Sequence, residues 1–297
     1  MRKLSALLLA TLLVLANACY AADDEPSRVR AYRGVSPVEA NGALSSPFEQ
    51  KVERAVGEYA AGGVANIGDG RYFGGITPHH DAALGMIVRF YELASSRDAR
   101  RVWLFSPDHF RQSRNIASLC DADWNTSGRT LQADREACAK LAELGIVDAN
   151  AGMFGGEHGI TLHIPLAARY FPNAGVVPVV LRPDAPDLAL LILRDKIMEL
   201  WNDGDVIILS MDLSHYKTPE GMAAEDVKTL DALCRLKYFQ TAEMDADARR
   251  AASLVLRLFA ELGAKRGVVI EHSDSSAVLG GRIESGTSYA TITYGVE

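Results

Sequence analysis

Apolar positions along the chain alternate between two patterns. Short, nearly continuous apolar runs occur over residues 72–77, 101–106, 176–181, 206–210, 268–272 and 289–294, each the length of one buried strand. Between them lie stretches with helical spacing, over 82–95, 131–144, 159–170, 187–201, 223–239 and 246–262, preceded by a helix over 48–60 that carries Val52, Val56 and Tyr59 on one face. Strands without polar alternation are buried on both faces, and intervening helices supply the cover. The pattern predicts a single α/β domain with a mainly parallel sheet and helices on both faces. In such a sheet, ligands bind beyond the carboxyl ends of the strands. The residues just after each apolar run are therefore the ones to read for chemistry.

The first residues do not fit this rhythm. Arg2 and Lys3 precede an apolar stretch over 4–15 interrupted only by Ser5 and Thr11, followed by Ala16-Asn17-Ala18-Cys19-Tyr20-Ala21. Basic, apolar and then small residues in that order read as an export signal, and the apolar part is short for a bilayer span. Residues 1–21 are expected to be removed, with residues 22–47 a polar lead-in to a domain over 48–297. The expected location is the periplasm or the exterior, with a lipid anchor at Cys19 as an alternative ending of the same signal. No later stretch is apolar enough to span a membrane.

Composition narrows the function classes. The 297 residues carry a formal net charge of -7, which disfavours nucleic-acid binding through phosphate contacts. A small-molecule substrate or a peptide is the expected partner, and the oligomeric state is open. Of the 4 cysteines, Cys120 and Cys138 flank a polar segment and either pair or remain buried thiols; none has the Cys-x-x-Cys spacing of a structural zinc site. Gly68-Asp69-Gly70 has Phe73 where a dinucleotide fingerprint needs its third glycine, and neither a P-loop nor a Gly-x-Ser-x-Gly elbow occurs.

The 7 histidines all lie beyond residue 78. His79 follows one strand run, His109 the next, and His215 a third, so a parallel sheet brings them to one crevice. His158 and His163 fall on one helical stretch, His80 follows His79 directly, and His272, on the last-but-one run, reads as structural. Imidazole is both a common transition-metal ligand and an acid/base group near neutral pH.

Ile76-Thr77-Pro78-His79, Ser106-Pro107-Asp108-His109, the segment from Glu157-His158 to His163-Ile164-Pro165-Leu166, Ser210-Met211-Asp212-Leu213-Ser214-His215 and Ser285-Gly286-Thr287-Ser288-Tyr289-Ala290 follow one another in an order that resembles the Memo family. That family, also called AmmeMemoRadiSam system protein B, shares its fold with the class III extradiol ring-cleaving dioxygenases. The chain departs from its pattern beside His79, where His80-Asp81-Ala82 follows, and at Phe110, where a second histidine is usual. It also lacks the family's Cys-Gly-Arg; Asp247 falls at the cysteine position, with Asp245 and Glu243 as rivals.

The resemblance implies a metal held by His79, His109 and a third, acidic residue. Two histidines and one carboxylate make the open face used by non-haem Fe(II) oxygenases, so Fe(II) is the expected metal, with Cu or Zn as alternatives. An Asp beside a helix start also serves simply to stabilise the helix dipole. His215 is then free as the acid/base group, with Asp212 either orienting it or bonding the strand-end backbone. His158, His80 and His163 are candidates for substrate or supporting contacts: His158 is favoured to face the crevice and His80 to face solvent. The expected activity is oxygenation of a small phenolic or catecholic substrate. A metal- or peptide-binding protein without turnover and a metal-dependent hydrolase are the alternatives.

Overall fold

The computed structural model describes residues 45–59 and 71–296, apart from residues 97, 127 and 282. The expected export segment over 1–21, with Cys19, and nearly all of the lead-in over 22–47 lie outside the described residues. Eleven strands are described: β1 (Arg71–Thr77), β2 (Arg101–Pro107), β3 (Ala117–Leu119), β4 (Trp124–Thr126), β5 (Arg129–Leu131), β6 (Val147–Ala149), β7 (Gly175–Leu181), β8 (Asp205–Ser210), β9 (His215–Lys217), β10 (Gly267–Asp274) and β11 (Gly286–Val296). The helices are α1 (Ser46–Tyr59), α2 (Leu84–Ala94), α3 (Arg135–Ala142), α4 (Ala151–Phe154), α5 (His158–Thr161), α6 (Ile164–Tyr170), α7 (Asp187–Leu200), α8 (Pro219–Cys234), α9 (Arg249–Glu261) and α10 (Ser275–Leu279). Among the described residues, no helix is long and apolar enough to cross a membrane.

One sheet runs β10-β11-β1-β8-β2-β7-β3-β6, with β9 added to β11; β4 and β5 form a separate hairpin. β1, β8, β2 and β7 are mutually parallel in that order, and β3 is parallel to β6. Successive side chains of a strand point to opposite faces, and here both faces are apolar. Trp103, Phe105, Ile207 and Leu209 pack under α7 and α9, while Val102, Leu104, Val206 and Ile208 pack under α1, α2 and α6. This is the helix-covered, mostly parallel α/β domain that the apolar runs predict.

The expectation of parallel pairing fails where β3 runs antiparallel to β7, and again in the tail. β10 and β11 pair antiparallel, and β11 pairs antiparallel with β1. The connection between β10 and β11 is only the short helix α10 and its turns, too short for a parallel crossover. Within residues 110–156, where a helix over 131–144 is the one element expected, that helix appears as α3 and is joined by β3, the β4–β5 hairpin, β6 and α4. β3 and β6 prolong the sheet beyond β7. The helix expected over 159–170 is split into α5 and α6, the second with Pro165 in its first turn, whose ring lacks the N–H a continuous helix would use there. The helix expected over 223–239 starts earlier, at Pro219, and ends at Cys234, just before Leu236 adopts a φ of +53°.

Of the two states open to Cys120 and Cys138, the structure has buried free thiols, with Cys138 Sγ 3.7 Å from the Cys120 carbonyl oxygen.

β1 lies between β11 and β8, and this close approach explains Gly74. Its φ is +140°, and a β-carbon there would sit 1.8 Å from the Ile207 carbonyl oxygen on β8. Gly74→Ala is therefore expected to lower stability by about 1–3 kcal/mol or more, read as a lower urea midpoint. An unchanged midpoint would show that β1 and β8 can separate without cost.

Candidate metal centre

Three neighbouring parallel strands deliver the site. Thr77 of β1 is level with Ser210 of β8, and Phe105 of β2 is level with Leu209. The chain leaves the sheet at these ends, placing His79 two residues beyond β1, Asp212 two beyond β8 and His109 two beyond β2. His79 and Asp212 are buried. The His79 and His109 rings meet edge to face with centroids 4.8 Å apart, and the His158 ring lies 4.0 Å from that of His109.

Asp247 comes from a different part of the chain, in the turn just before α9. A reciprocal pair of backbone contacts holds it: Asp212 N–H donates to Asp247 Oδ1 at 3.2 Å, and Asp247 N–H to the Asp212 carbonyl at 3.4 Å. Its other oxygen, Oδ2, is buried, lies 2.9 Å from His79 Nε2 and 3.6 Å from His109 Nε2, and makes no well-directed hydrogen bond among the described residues. Two imidazole nitrogens and one buried carboxylate oxygen thus converge. Asp245 is turned away to Lys217 at 2.5 Å, and Glu243 is exposed, so of the three acidic candidates only Asp247 meets the histidines.

The far side of each ring is tied down. His109 Nδ1 is 2.5 Å from Glu157 Oε1, and the His109 backbone N–H donates to Glu157 Oε2 at 3.1 Å. A carboxylate only accepts, so His109 carries its proton on Nδ1 and offers the lone pair of Nε2 when neutral. His79 Nδ1 sits 2.9 Å from Ser210 Oγ, which accepts in the same way when Nε2 is left free. Metal-bound histidines are oriented through such outer hydrogen bonds. Two imidazoles and a carboxylate form a donor set suited to first-row transition metals, and the buried, undirected Oδ2 of Asp247 fits a cation between these groups.

Electrostatics reinforce the convergence. Burial opposes charge on His79, but Asp212 and Asp247 outweigh it and raise its pKa. At His109, burial is likewise outweighed by Asp247 and Glu157, and the pKa rises to about 10. Asp247 is driven the other way: burial opposes its ionisation, yet the two histidines hold it well below the usual carboxylate range. His158 is half-buried; its desolvation, followed by the charges of His79 and His109, lowers its pKa to about 2, and it stays neutral. Its donor atom is close enough to those of His79 and His109 to form an alternative set, as are those of Asp212 and Asp247 with His79.

The remaining candidates divide. His215, on β9, donates from Nδ1 to the Leu213 carbonyl at 2.8 Å and bears on the same cluster, its charge being among the influences that depress Asp247. Asp212 does not take the proton of His215. It accepts from the His79 backbone N–H at 3.1 Å, the second of its two expected uses. His80, expected in solvent, is half-buried and its Nδ1 caps the turn into α2 by accepting from Ala82 N–H. His163 is fully buried, stacked on Tyr91 with centroids 5.8 Å apart, and burial lowers its pKa to about 3. His272 bonds the buried Asp226. Sequence reasoning missed the tethers Ser210 and Glu157, although both lie inside the segments it singled out. The available signal for Glu157 was its place directly before α5, where it caps the helix by accepting from Gly159 N–H.

With fold and geometry established, comparison with known proteins places the chain. Residues 68–293 match the profile described as Memo-like protein, and the chain belongs to that family. It is 28% identical over 223 residues to a MEMO1 family protein of Methanosarcina acetivorans, covering 70% of this chain and 80% of that one. It is 24% identical over 154 residues to MEMO1 family protein SSO0066 of Saccharolobus solfataricus, where the alignment covers 50% of this chain and 54% of that relative. The crystal structure of the uncharacterized protein JW3007 from Escherichia coli K12 superposes with a TM-score of 0.46 at 12% identity, covering 76% of this chain and all of that one.

If the outer bonds orient the ligands, Ser210→Ala and Glu157→Gln should each weaken metal binding by about 10–100-fold, while Asp245→Ala leaves it unchanged. Competition titration of the metal-free protein measures this. Equal affinity in Ser210→Ala, Glu157→Gln and the wild type would show that the tethers do not matter.

Proposed function

We propose that the chain is a metal-dependent, oxygenase-like enzyme that acts on a small phenolic or catecholic substrate, with His79, His109 and Asp247 holding a divalent transition metal, Fe(II) ahead of Cu or Zn. The observation that supports it most is the approach of Asp247 Oδ2 to both Nε2 atoms while each Nδ1 is occupied elsewhere. Two nitrogens and one oxygen leave the rest of a metal's coordination sphere for other ligands. When bound, Fe(II) supplies redox chemistry with dioxygen that no side chain offers.

The protein's own part is to bind and to move a proton. His215 donates from Nδ1 to a carbonyl, which can only accept, so the lone pair of neutral His215 is on Nε2. In this reading that atom takes the phenolic proton and later returns one. Phe110, half exposed, lies with its ring centroid 6.0 Å from that of neutral His158, offering an aromatic wall to a planar ring. The proposal includes export, supported by the basic, apolar and small residues over 1–21; amino-terminal sequencing of protein recovered from cells reads it, and an intact Met1 would oppose it.

Anaerobic purification followed by metal analysis and oxygen uptake on a panel of catechols tests the activity. Bound iron with oxygen consumption, lost in His215→Ala while the metal is retained, is the expected result. Tightly held zinc or copper with no uptake would favour a binding protein without turnover.

A further inference from the structure

Asp226, on α8, is 1% exposed, and among the described residues no Lys or Arg bonds to it. A buried carboxylate needs donors to offset its lost hydration. Among the described residues it has three: Ser214 Oγ and Ser288 Oγ each donate to Oδ1 at 2.9 Å, and His272 Nε2 donates to Oδ2 at 2.8 Å. The two serines belong to facing chain segments. Ser214 immediately precedes His215, and Ser288 is in β11.

Those segments are laced together at the same point. Ser214 N–H donates to Ser288 Oγ at 3.0 Å, Ser288 N–H to the Ser214 carbonyl at 2.9 Å, and Leu213 N–H to the Ser288 carbonyl at 3.0 Å. The Leu213 carbonyl, at the start of this clamp, is the group that receives the Nδ1 proton of His215. Directly afterwards, Tyr216 adopts a φ of +58° with its side chain 82% exposed. For a bulky residue that conformation is strained. Tyr216 gains nothing from burial in return, so the flanking bonds must hold the chain there.

We propose that Asp226 is a positioning residue for His215: by binding Ser214 and Ser288 together it fixes the Leu213 carbonyl, and through it the ring orientation and tautomer that leave Nε2 free to accept a proton. This rests on the reading of His215 as the proton acceptor, but the clamp itself is measurable without turnover. Charge on Asp226 is not the essential feature. Asp226→Asn keeps one oxygen for both hydroxyls and presents its amide to His272, which can accept as the other tautomer.

The test is ¹⁵N NMR of the histidine ring nitrogens in zinc-loaded protein, at a pH where imidazole is neutral, with the His215 signal assigned by its absence in His215→Ala. The wild type and Asp226→Asn should show a single Nδ1–H tautomer at His215. Asp226→Ala and Ser288→Ala should show a mixture, with bound zinc retained. With Fe(II) and a catechol, the same two variants should lose about 10²-fold in kcat, the lower end of what a placed acid/base group contributes, at unchanged KM. Should Asp226→Ala fail to fold, Ser288→Ala, which removes a single hydroxyl, decides. A single unaltered tautomer in Ser288→Ala and in any folded Asp226→Ala would overturn the proposal. If the tautomer follows Asp226 while the wild type consumes no oxygen, the clamp stands and the oxygenase reading falls; if oxygen is consumed but the tautomer ignores both substitutions, the reverse holds.

Discussion

An imidazole can present a lone pair in a chosen direction only when its other nitrogen is committed, and this requirement organises the crevice. His79 commits Nδ1 to Ser210, His109 to Glu157 and His215 to the Leu213 carbonyl. Three rings from three strand ends are thereby set to offer Nε2. The acceptors differ in strength. Glu157 is a buried carboxylate at 2.5 Å, which contributes to raising the His109 pKa to about 10, whereas a backbone carbonyl fixes the tautomer of His215 without adding a charge beside it.

The sheet makes these commitments compatible. β8 lies between β1 and β2 and is parallel to both, so Ser210 at its end is beside His79, and the turn after it reaches Asp247 through the reciprocal contacts with Asp212. Asp212 serves as a brace, with one oxygen on the His79 backbone and its own peptide on Asp247. Close approach is enforced elsewhere by missing side chains. Gly74 allows β1 to close on β8, and Gly159, whose β-carbon would fall 2.1 Å from Ser106 Oγ, allows α5 to bring Glu157 against the end of β2. Backbone proximity at these two glycines is the structural condition for the His79 and His109 placements.

The sequence made the central layers legible because strands buried on both faces leave unbroken apolar runs, as at Val102–Phe105 and Val206–Leu209. It hid the three-residue strands β3, β4, β5, β6 and β9, which are too short to carry a period, and the antiparallel tail, whose runs look the same whichever way they pair. At the site, placement at strand ends pointed to His79, His109 and His215 from spacing alone. Asp247 required the family resemblance, since nothing local separates it from Asp245; only the turn before α9, held by Asp212, turns one inward and the other to Lys217. Asp226 was invisible for a further reason. A single acid on a helix reads as solvent-facing until Ser214, Ser288 and His272 are seen to converge on it from three other segments.

In the metal site proposed for this Memo-like chain, two tethered imidazoles and the Asp247 carboxylate together hold the ion. X-ray absorption at the edge of the bound metal reports that directly, because imidazole rings give a distinctive outer-shell signal and sulfur a distinct inner one. The expected result is an inner shell of nitrogen and oxygen only, with the outer-shell pattern of two imidazoles that drops to one in His109→Ala. A sulfur neighbour, or a spectrum indifferent to His109, would contradict it.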